Sequence, residues 1–428
     1  MENFKNSELE NLFNHRLTEN GDDAFVSTGN KLTDILFMSE YYTQHPEEAK
    51  IGDSSIEKLF AMFIRDPRLG LGRRDLGRSL MSQANLSAEQ VVLAGRYDDL
   101  YLMPNPNPTY YIFLFDEVRK GNELAKKWMP RYSSKHLMIA RKFAAILEMN
   151  KQQYGKFIKA NTVENTMSRQ EWEQINFEHV PSLASIKYAR AFQKHQPERY
   201  NQYLNDVRSG KKELHVATTN VYDIYRNRNE IDADLFYNKL DKITINCIPI
   251  IDVSSSMYAD DALGKALSIG KYLSDCSSYC NGQFVTFSSL PELVTQRGNS
   301  YSEIFNNMMM SNWGMNTDLG KVMNLLQRLE NEFPEYLVIL SDMEFDNGSS
   351  WSKDALMADW KAHGINTKII WWNLNSRNTT CPETDKYGNI FISGYNPMLL
   401  KYLEAGFDSN KFLAKLLSEY ARNLNLRS

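Results

Sequence analysis

Short apolar runs alternate with helical patterns from about residue 242 onward, and this alternation constrains the fold more than any other feature. The first run, residues 242–251, predicts a buried strand, and similar runs occur at 283–287, 336–340 and 367–372. Apolar side chains recur between them with the helical period of 3.6 residues. Strands that alternate with helices predict a mostly parallel sheet covered on both faces. We therefore expect a doubly wound, Rossmann-like α/β domain over residues 241–428.

Helices are expected at 262–279, 301–309, 319–329, 354–363, 397–404 and 410–423. The last of these carries an apolar face made of Phe412, Leu413, Leu416, Leu417 and Tyr420. Such a face is ordinarily buried in a core. Because neither Gly nor Pro interrupts this helix, we expect it to be rigid.

The preceding part of the chain has a different pattern. Residues 32–240 show mainly helical spacing and no strand-like alternation, which predicts an α-helical, repeat-like array. Helix starts are predicted at Ser87 and at Ser168, where Glu171 would complete a capping box. Residues 1–31 are rich in Asn, Glu and Asp, and we expect an acidic polar arm.

Composition narrows the class of protein. Hydrophobic residues make up 42% of the chain and charged residues 24%, as in ordinary globular proteins. The apolar runs are too short to span a bilayer, and no signal core opens the chain. We therefore expect no membrane partner, and a location in the cytoplasm, or in the virion if the protein is viral. The cysteines are expected to be free thiols.

Oxygen-bearing side chains follow two predicted strands and precede one predicted helix. They are Asp252, Ser254, Ser256, Thr317 and Asp342. If the strands are parallel neighbours, these side chains meet at one edge of the sheet, where ligands bind in open α/β sheets. Hard oxygen ligands favour Mg²⁺, Mn²⁺ or Ca²⁺ over zinc. The alternatives are a site that has lost its metal, or serines that only cap the following helix.

This Asp-x-Ser-x-Ser strand end, with a later Thr and a later Asp, resembles the metal-ion-dependent adhesion site of von Willebrand A domains. The resemblance implies that Ser254 and Ser256 bind the metal directly. It implies that Asp252 and Asp342 act largely through water, and Thr317 directly or through water. One metal position would stay open for a carboxylate or phosphate of a partner. The spacing before Thr317 departs from the family's Gly-x-Thr pattern by one residue.

The helical part of the chain carries a positive charge excess. Residues 51–240 hold 29 Lys and Arg against 22 Asp and Glu, although the whole chain has a net charge of -4. Basic clusters with aromatic neighbours can bind RNA or another polyanion, and the amides of Gly70–Gly72 could face an anion. The alternative is an ordinary solvated face. The candidate residues are Arg65, Arg68, Arg73, Arg74, Lys126, Lys127 and Arg131.

Three segments resemble the DUF2828 family of plants, large viruses and phages. They are Arg65–Asp75, Met167–Ser182 and Ser341–Asp346. The resemblance covers about residues 32–428. The family is similar in layout to the Ro ribonucleoprotein (TROVE) proteins, in which a helical ring that binds structured non-coding RNA precedes a von Willebrand A domain. For this chain, the resemblance implies a TROVE-like helical domain.

Catalytic motifs are missing from the sequence: it has no Walker A, G-x-S-x-G or H-E-x-x-H pattern. We therefore expect a non-enzymatic, metal-dependent adaptor. It would bind a protein carboxylate at the metal and RNA or another polyanion on the helical domain. One alternative is a structural or packaged protein of a virus or phage particle without an RNA role. A metal-dependent hydrolase is the other alternative.

Overall fold

In the computed structural model, the chain forms two compact units. The sheet unit comprises Met1–Tyr41 and Thr219–Ala414, and the helical unit comprises Tyr42–Thr218 and Lys415–Ser428. The structure describes residues 27–160, 163–180, 182–214, 219–229, 231–279, 282–287, 291–309, 321–322, 325, 333–342, 353–375, 382–385, 387–396 and 398–425.

This division of the chain differs from the predicted boundaries at residues 32 and 241. The first described helix belongs to the sheet unit because Phe37 stacks on Phe412, with 5.8 Å between ring centroids. The end of the chain belongs to the helical unit, where the hydroxyl of Tyr420 donates to the buried carboxylate of Asp66 at 3.2 Å. Most of the predicted arm, residues 1–31, lies outside the described residues.

One seven-stranded sheet of the described residues forms the centre of the sheet unit, in the order β3-β2-β1-β4-β5-β7-β6. Strand β1 pairs in parallel with β2 and β4, and β5 pairs in parallel with β4 and β7. The short strands β3 and β6 are antiparallel to their neighbours. The strands are β1 (Cys247–Asp252), β2 (Gln283–Phe287), β3 (Leu293–Thr295), β4 (Tyr336–Ser341), β5 (Lys368–Asn373), β6 (Glu383–Thr384) and β7 (Ile390–Ser393).

Helices cover both faces of this sheet. On one face, Ile248 packs in an apolar cluster with the fully buried Trp360. On the other face, the helix Ala262–Cys276 approaches closely, because Gly270 has no side chain and a Cβ there would overlap the side chain of Ile251. The predicted doubly wound α/β class is therefore confirmed.

The other described helices of the sheet unit are Lys31–Phe37, Val221–Arg226, Ala233–Asn238, Tyr301–Met309, Lys353–Ala362 and Met398–Glu404, with a 3₁₀ turn at Ser255–Asp261. Two helices, Ser39–Gln44 and Ser409–Asn425, contain the points where the chain passes from one unit to the other. The predicted helix at 319–329 lies largely outside the described residues.

The helical unit is all-helical over its described residues, as predicted. Its helices are Ser55–Arg65, Arg74–Gln83, Ala88–Ala94, Asp99–Leu102, Pro108–Arg119, Glu123–Trp128, Leu137–Ile146, Lys151–Phe157, Val163–Ser168, Ser182–His195 and Pro197–Arg208, with 3₁₀ turns at Trp172–Gln174 and Phe177–His179. None of the helices described in either unit combines the length and apolarity that a bilayer crossing requires.

One of the two predicted helix starts in this unit is correct. Ser87 forms a capping box with Gln90 at the start of the helix Ala88–Ala94. Ser168, by contrast, is the last residue of the helix Val163–Ser168, and Gln170 then takes a positive φ of 62° that ends the helical path. The prediction of a capping box at Ser168 is therefore wrong.

Buried ion pairs connect three helices of the helical unit. The Nη2 atom of Arg65 lies 2.7 Å from Oδ2 of Asp99, and the Nε atom of Arg78 donates to Oδ1 of the same carboxylate at 2.7 Å. The side chain of Arg65 is 1% exposed and that of Asp99 is 0% exposed. Because an unpaired buried charge is very costly, each member of this cluster depends on its partners.

We expect the Asp99→Ala substitution to destabilise the protein by about 3–5 kcal/mol, because it removes the carboxylate that pairs with the buried Arg65 and leaves Arg78 only its longer contacts with Asp98 and Asp75. The matched control is Asp116→Ala, which removes a carboxylate whose pair with Arg119 is exposed. That change should cost less than about 1 kcal/mol. Urea denaturation of the two variants measures the difference, and equal midpoints would contradict the structural role of Asp99.

Candidate functional site

The candidate metal site begins with the pairing of two parallel strands. Ile251 of β1 lies opposite Leu340 of β4, so both strands end at the same edge of the sheet. Asp252 is the last residue of β1, and Asp342 follows the last residue of β4. The structure thus brings Asp252, Ser254, Ser256 and Asp342 to one sheet edge, where open α/β sheets bind ligands.

Hydrogen bonds hold the loop after β1 in place. The backbone N–H of Ser254 donates to Oδ1 of Asp252 at 2.8 Å, and the hydroxyls of Ser254 and Ser256 share a hydrogen bond at 2.9 Å. The hydroxyl of Ser341 donates to Oδ2 of Asp252 at 2.6 Å. Sequence reasoning assigned no role to Ser341. Its position at the end of β4, directly before Asp342, was the available signal.

Electrostatics at this edge favour a cation. Asp252 is fully buried and Asp342 is 5% exposed. Burial raises the pKa of Asp252 to about 6, and the charge of Asp342 acts in the same direction, against the lowering effect of hydrogen bonds from Ser341 and Ser254. Two buried carboxylates that influence each other in this way are stabilised in their charged forms by a bound cation.

The donor atoms of the described residues fit a hard divalent ion. Adjacent ligands of an octahedral Mg²⁺ at about 2.0–2.1 Å lie about 2.9 Å apart, and the hydroxyls of Ser254 and Ser256 have that separation. Carboxylate and hydroxyl oxygens are the ligand types that Mg²⁺, Mn²⁺ and Ca²⁺ prefer. Thr317, the remaining predicted ligand, lies outside the described residues.

The basic residues of the helical unit are not all available to a polyanion. Arg65 is buried against Asp99, so the prediction that it contacts nucleic acid does not hold. Arg68 donates to Asp66 and to the backbone carbonyl of Leu93. Pairing with buried carboxylates is what allows guanidinium groups to lie within or against a protein core.

The loop Gly70–Gly72 does not present its backbone amides to an anion. The N–H groups of Gly70 and Gly72 both donate to the backbone carbonyl of Asp66 at 3.1 Å. The N–H group of Leu71 donates to the backbone carbonyl of Phe63 at 3.0 Å. The loop amides are therefore satisfied inside the protein. The predicted anion site at Gly70–Gly72 is wrong.

The other candidate cations differ in their surroundings. Lys126 forms an ion pair with Glu123 at 2.8 Å, and Lys127 lies 5.6 Å above the ring of Trp128. Arg73 is half-buried, whereas Arg74 and Arg131 are exposed. Two aromatic residues close in sequence to basic ones, Phe192 and Tyr200, are buried in the core. Arg74 and Arg131 are therefore exposed members of the predicted nucleic-acid-binding set, and Arg68 is exposed but paired with Asp66.

The sheet unit is a doubly wound α/β domain whose paired strands β1 and β4 bring Asp252, Ser254, Ser256 and Asp342 to one edge. Comparison with known families identifies two matches. Residues 246–420 match the Domain of unknown function (DUF7788), and residues 158–233 match the Domain of unknown function (DUF2828). The predicted resemblance to DUF2828 is thus confirmed. The matched stretch is shorter than the expected residues 32–428.

Two individual proteins are similar to this chain over most of its length. "Uncharacterized protein L728" of Acanthamoeba polyphaga mimivirus is 22% identical, covering 96% of this chain and 89% of the relative. The crystal structure of the RO (RSR) protein of Deinococcus radiodurans aligns with a TM-score of 0.43 and 10% identity, covering 92% of this chain and 95% of that one. A TM-score of this size does not define a shared fold.

We expect Mg²⁺ to raise the thermal stability of the protein through these side chains. A concentration of about 100 times Kd would stabilise the folded state by about 2.7 kcal/mol. The double variant Ser254→Ala and Ser256→Ala should lose this effect, because it removes two ligand oxygens. Ser255→Ala, which changes the exposed serine between them, should keep it. Thermal melts with Mg²⁺ and with EDTA test this, and a shift retained by the double variant would contradict the site.

Proposed function

We propose that the protein is a divalent-metal-dependent binding protein and not an enzyme. Its sheet unit would hold Mg²⁺, Mn²⁺ or Ca²⁺ through Asp252, Ser254, Ser256 and Asp342, with Thr317 as the further ligand. When bound, the metal would supply a positive centre with one position for an outside ligand. A carboxylate of a protein partner is a ligand that suits a hard cation at this edge of the sheet.

The observation that carries this proposal is the meeting of two buried carboxylates and two hydroxyls at the ends of β1 and β4. Both oxygens of Asp252 accept hydrogen bonds from Ser254 and Ser341, which fixes the carboxylate in one orientation. A site held in this way is suited to binding a ligand in a fixed geometry. A hydrolase, the less favoured alternative, would need the metal to activate water.

We further propose that the helical unit binds RNA or another polyanion. The exposure of Arg74 and Arg131 supports this part, whereas the burial of Arg65 limits it. A structural or packaged protein of a virus particle is the second candidate, and it is favoured by the similarity to a mimivirus protein along nearly the whole chain. The two candidates imply the cytoplasm and the virion, respectively.

Mn²⁺ offers a direct test of the open metal position. We expect bound Mn²⁺ to enhance the relaxation of water protons, and a short peptide containing Asp to reduce that enhancement by displacing bound water. The matched peptide with Asn in place of Asp should have little effect, because it lacks the carboxylate. The metal-site proposal fails if the Asp peptide leaves the relaxation of Mn²⁺-loaded protein unchanged.

The last helix should not respond to the metal. Phe412 and Tyr420 are each 2% exposed, and the helix Ser409–Asn425 has no Gly or Pro at which it could bend. Hydrogen exchange of Mg²⁺-bound and chelated protein should differ only in the segments around Ser254, Thr317 and Asp342. A clear change in protection across residues 410–423 would instead show a conformational switch.

A further inference from the structure

We propose that a basic pocket in the helical unit binds the phosphate group of a nucleotide or of a nucleic-acid strand. The pocket has a volume of about 560 Å³, within the range of about 300–1,000 Å³ typical of small-molecule sites. Arg131, Lys151, Lys159 and Arg169 all line it. The site deepens the nucleic-acid part of the proposed function and does not depend on the metal.

The charges around this pocket have one sign. No Asp or Glu is among its lining residues in the described part of the chain. Arg169 lies 4.0 Å from Glu171, whereas no ion pair of the described residues involves Arg131, Lys151 or Lys159. Like charges that line one cavity repel each other, and an anion in the cavity relieves this repulsion. Arg is also the side chain best shaped for phosphate.

An aromatic ring adds a surface for a base. Tyr132 lines the pocket and lies 5.8 Å from the ring of Tyr154. Tyr154 is itself fixed, because it is fully buried and its hydroxyl donates to the carbonyl of Pro130 at 3.0 Å. A supported aromatic ring beside cations is the combination that binds nucleotides without regard to sequence.

The lack of a side chain at Gly155 leaves one side of the pocket open. It lies inside the helix Lys151–Phe157 and lines the pocket. A Cβ at this position would meet no atom within 4 Å, and the residue does not have a positive φ. Gly weakens a helix relative to Ala, and neither local packing nor backbone conformation requires it here. The exposed backbone at Gly155 leaves the pocket open on this side.

The test measures binding of AMP, of adenosine and of a single-stranded adenine hexanucleotide to the full chain. All titrations contain EDTA, so failure of the metal site does not affect them. We expect AMP or the hexanucleotide to bind and adenosine to bind at least about tenfold more weakly, since it lacks the charge-assisted contacts. Binding of AMP identifies a free nucleotide as a ligand, and binding of the hexanucleotide alone identifies a strand.

Two sets of variants locate the site. Gly155→Leu should fill the pocket and weaken binding at least about tenfold, whereas Gly155→Ala, which also favours the helix, should change binding little. The double variant Arg131→Ala and Lys151→Ala should weaken binding and reduce the salt dependence of strand binding by about 0.7 in log–log slope per cation removed. Circular dichroism of each variant verifies the fold.

The proposal is overturned if neither AMP nor the hexanucleotide binds, or if adenosine binds as well as AMP. It is also overturned if Gly155→Leu and the double cation variant both bind like the wild type. The Ser254→Ala and Ser256→Ala double variant should bind these probes normally. The metal-site proposal and the pocket proposal can therefore fail separately.

Discussion

Parallel pairing of β1 with β4 is the interaction on which the candidate metal site depends. The match of Ile251 with Leu340 places Asp252 beside the end of β4 and leaves Asp342 one residue beyond it. A register shift of one residue would turn the side chains of a strand to the opposite face of the sheet. Both strands are buried along their whole length, so core packing fixes the register. The site geometry is thus a consequence of apolar packing several residues away.

The family-like segment at Arg65–Asp75 shows how the same residues can be interpreted in two ways. Arginines and glycines close together suggest an anion site when only the sequence is considered. In the structure, a Cβ at Gly70 would overlap the carbonyl oxygen of Phe63, and Asp66 accepts hydrogen bonds from the N–H groups of Arg68 and Leu69. The segment therefore connects two helices tightly, and its buried residues Arg65 and Asp66 serve the core, whereas Arg74 is exposed.

Sequence patterns were sufficient for the long elements and insufficient for the short ones. The strands β1, β2, β4 and β5 were predicted because each contains a short run rich in apolar residues. The edge strands β3 and β6 have three and two residues, too few for a periodic signal, and β7 has only four. Of the metal site, the carboxylates and serines were predictable from their place at strand ends. The contribution of Ser341 was not, since it depends on β1 and β4 being neighbours.

Counting basic residues predicted binding residues less well than strand patterns predicted the sheet, because a count of charges does not include burial. Arg65 and Arg131 look alike in the sequence, yet Arg65 is paired with a carboxylate on a distant helix and Arg131 is exposed beside other cations. Three glycines allow a similar comparison. At Gly70 and Gly270 a side chain would overlap neighbouring protein atoms, so the fold explains the residue. At Gly155 a Cβ would meet no protein atom within 4 Å, so close packing does not explain the residue. The open space there is bordered by cations, and a ligand that occupies this space accounts for both features.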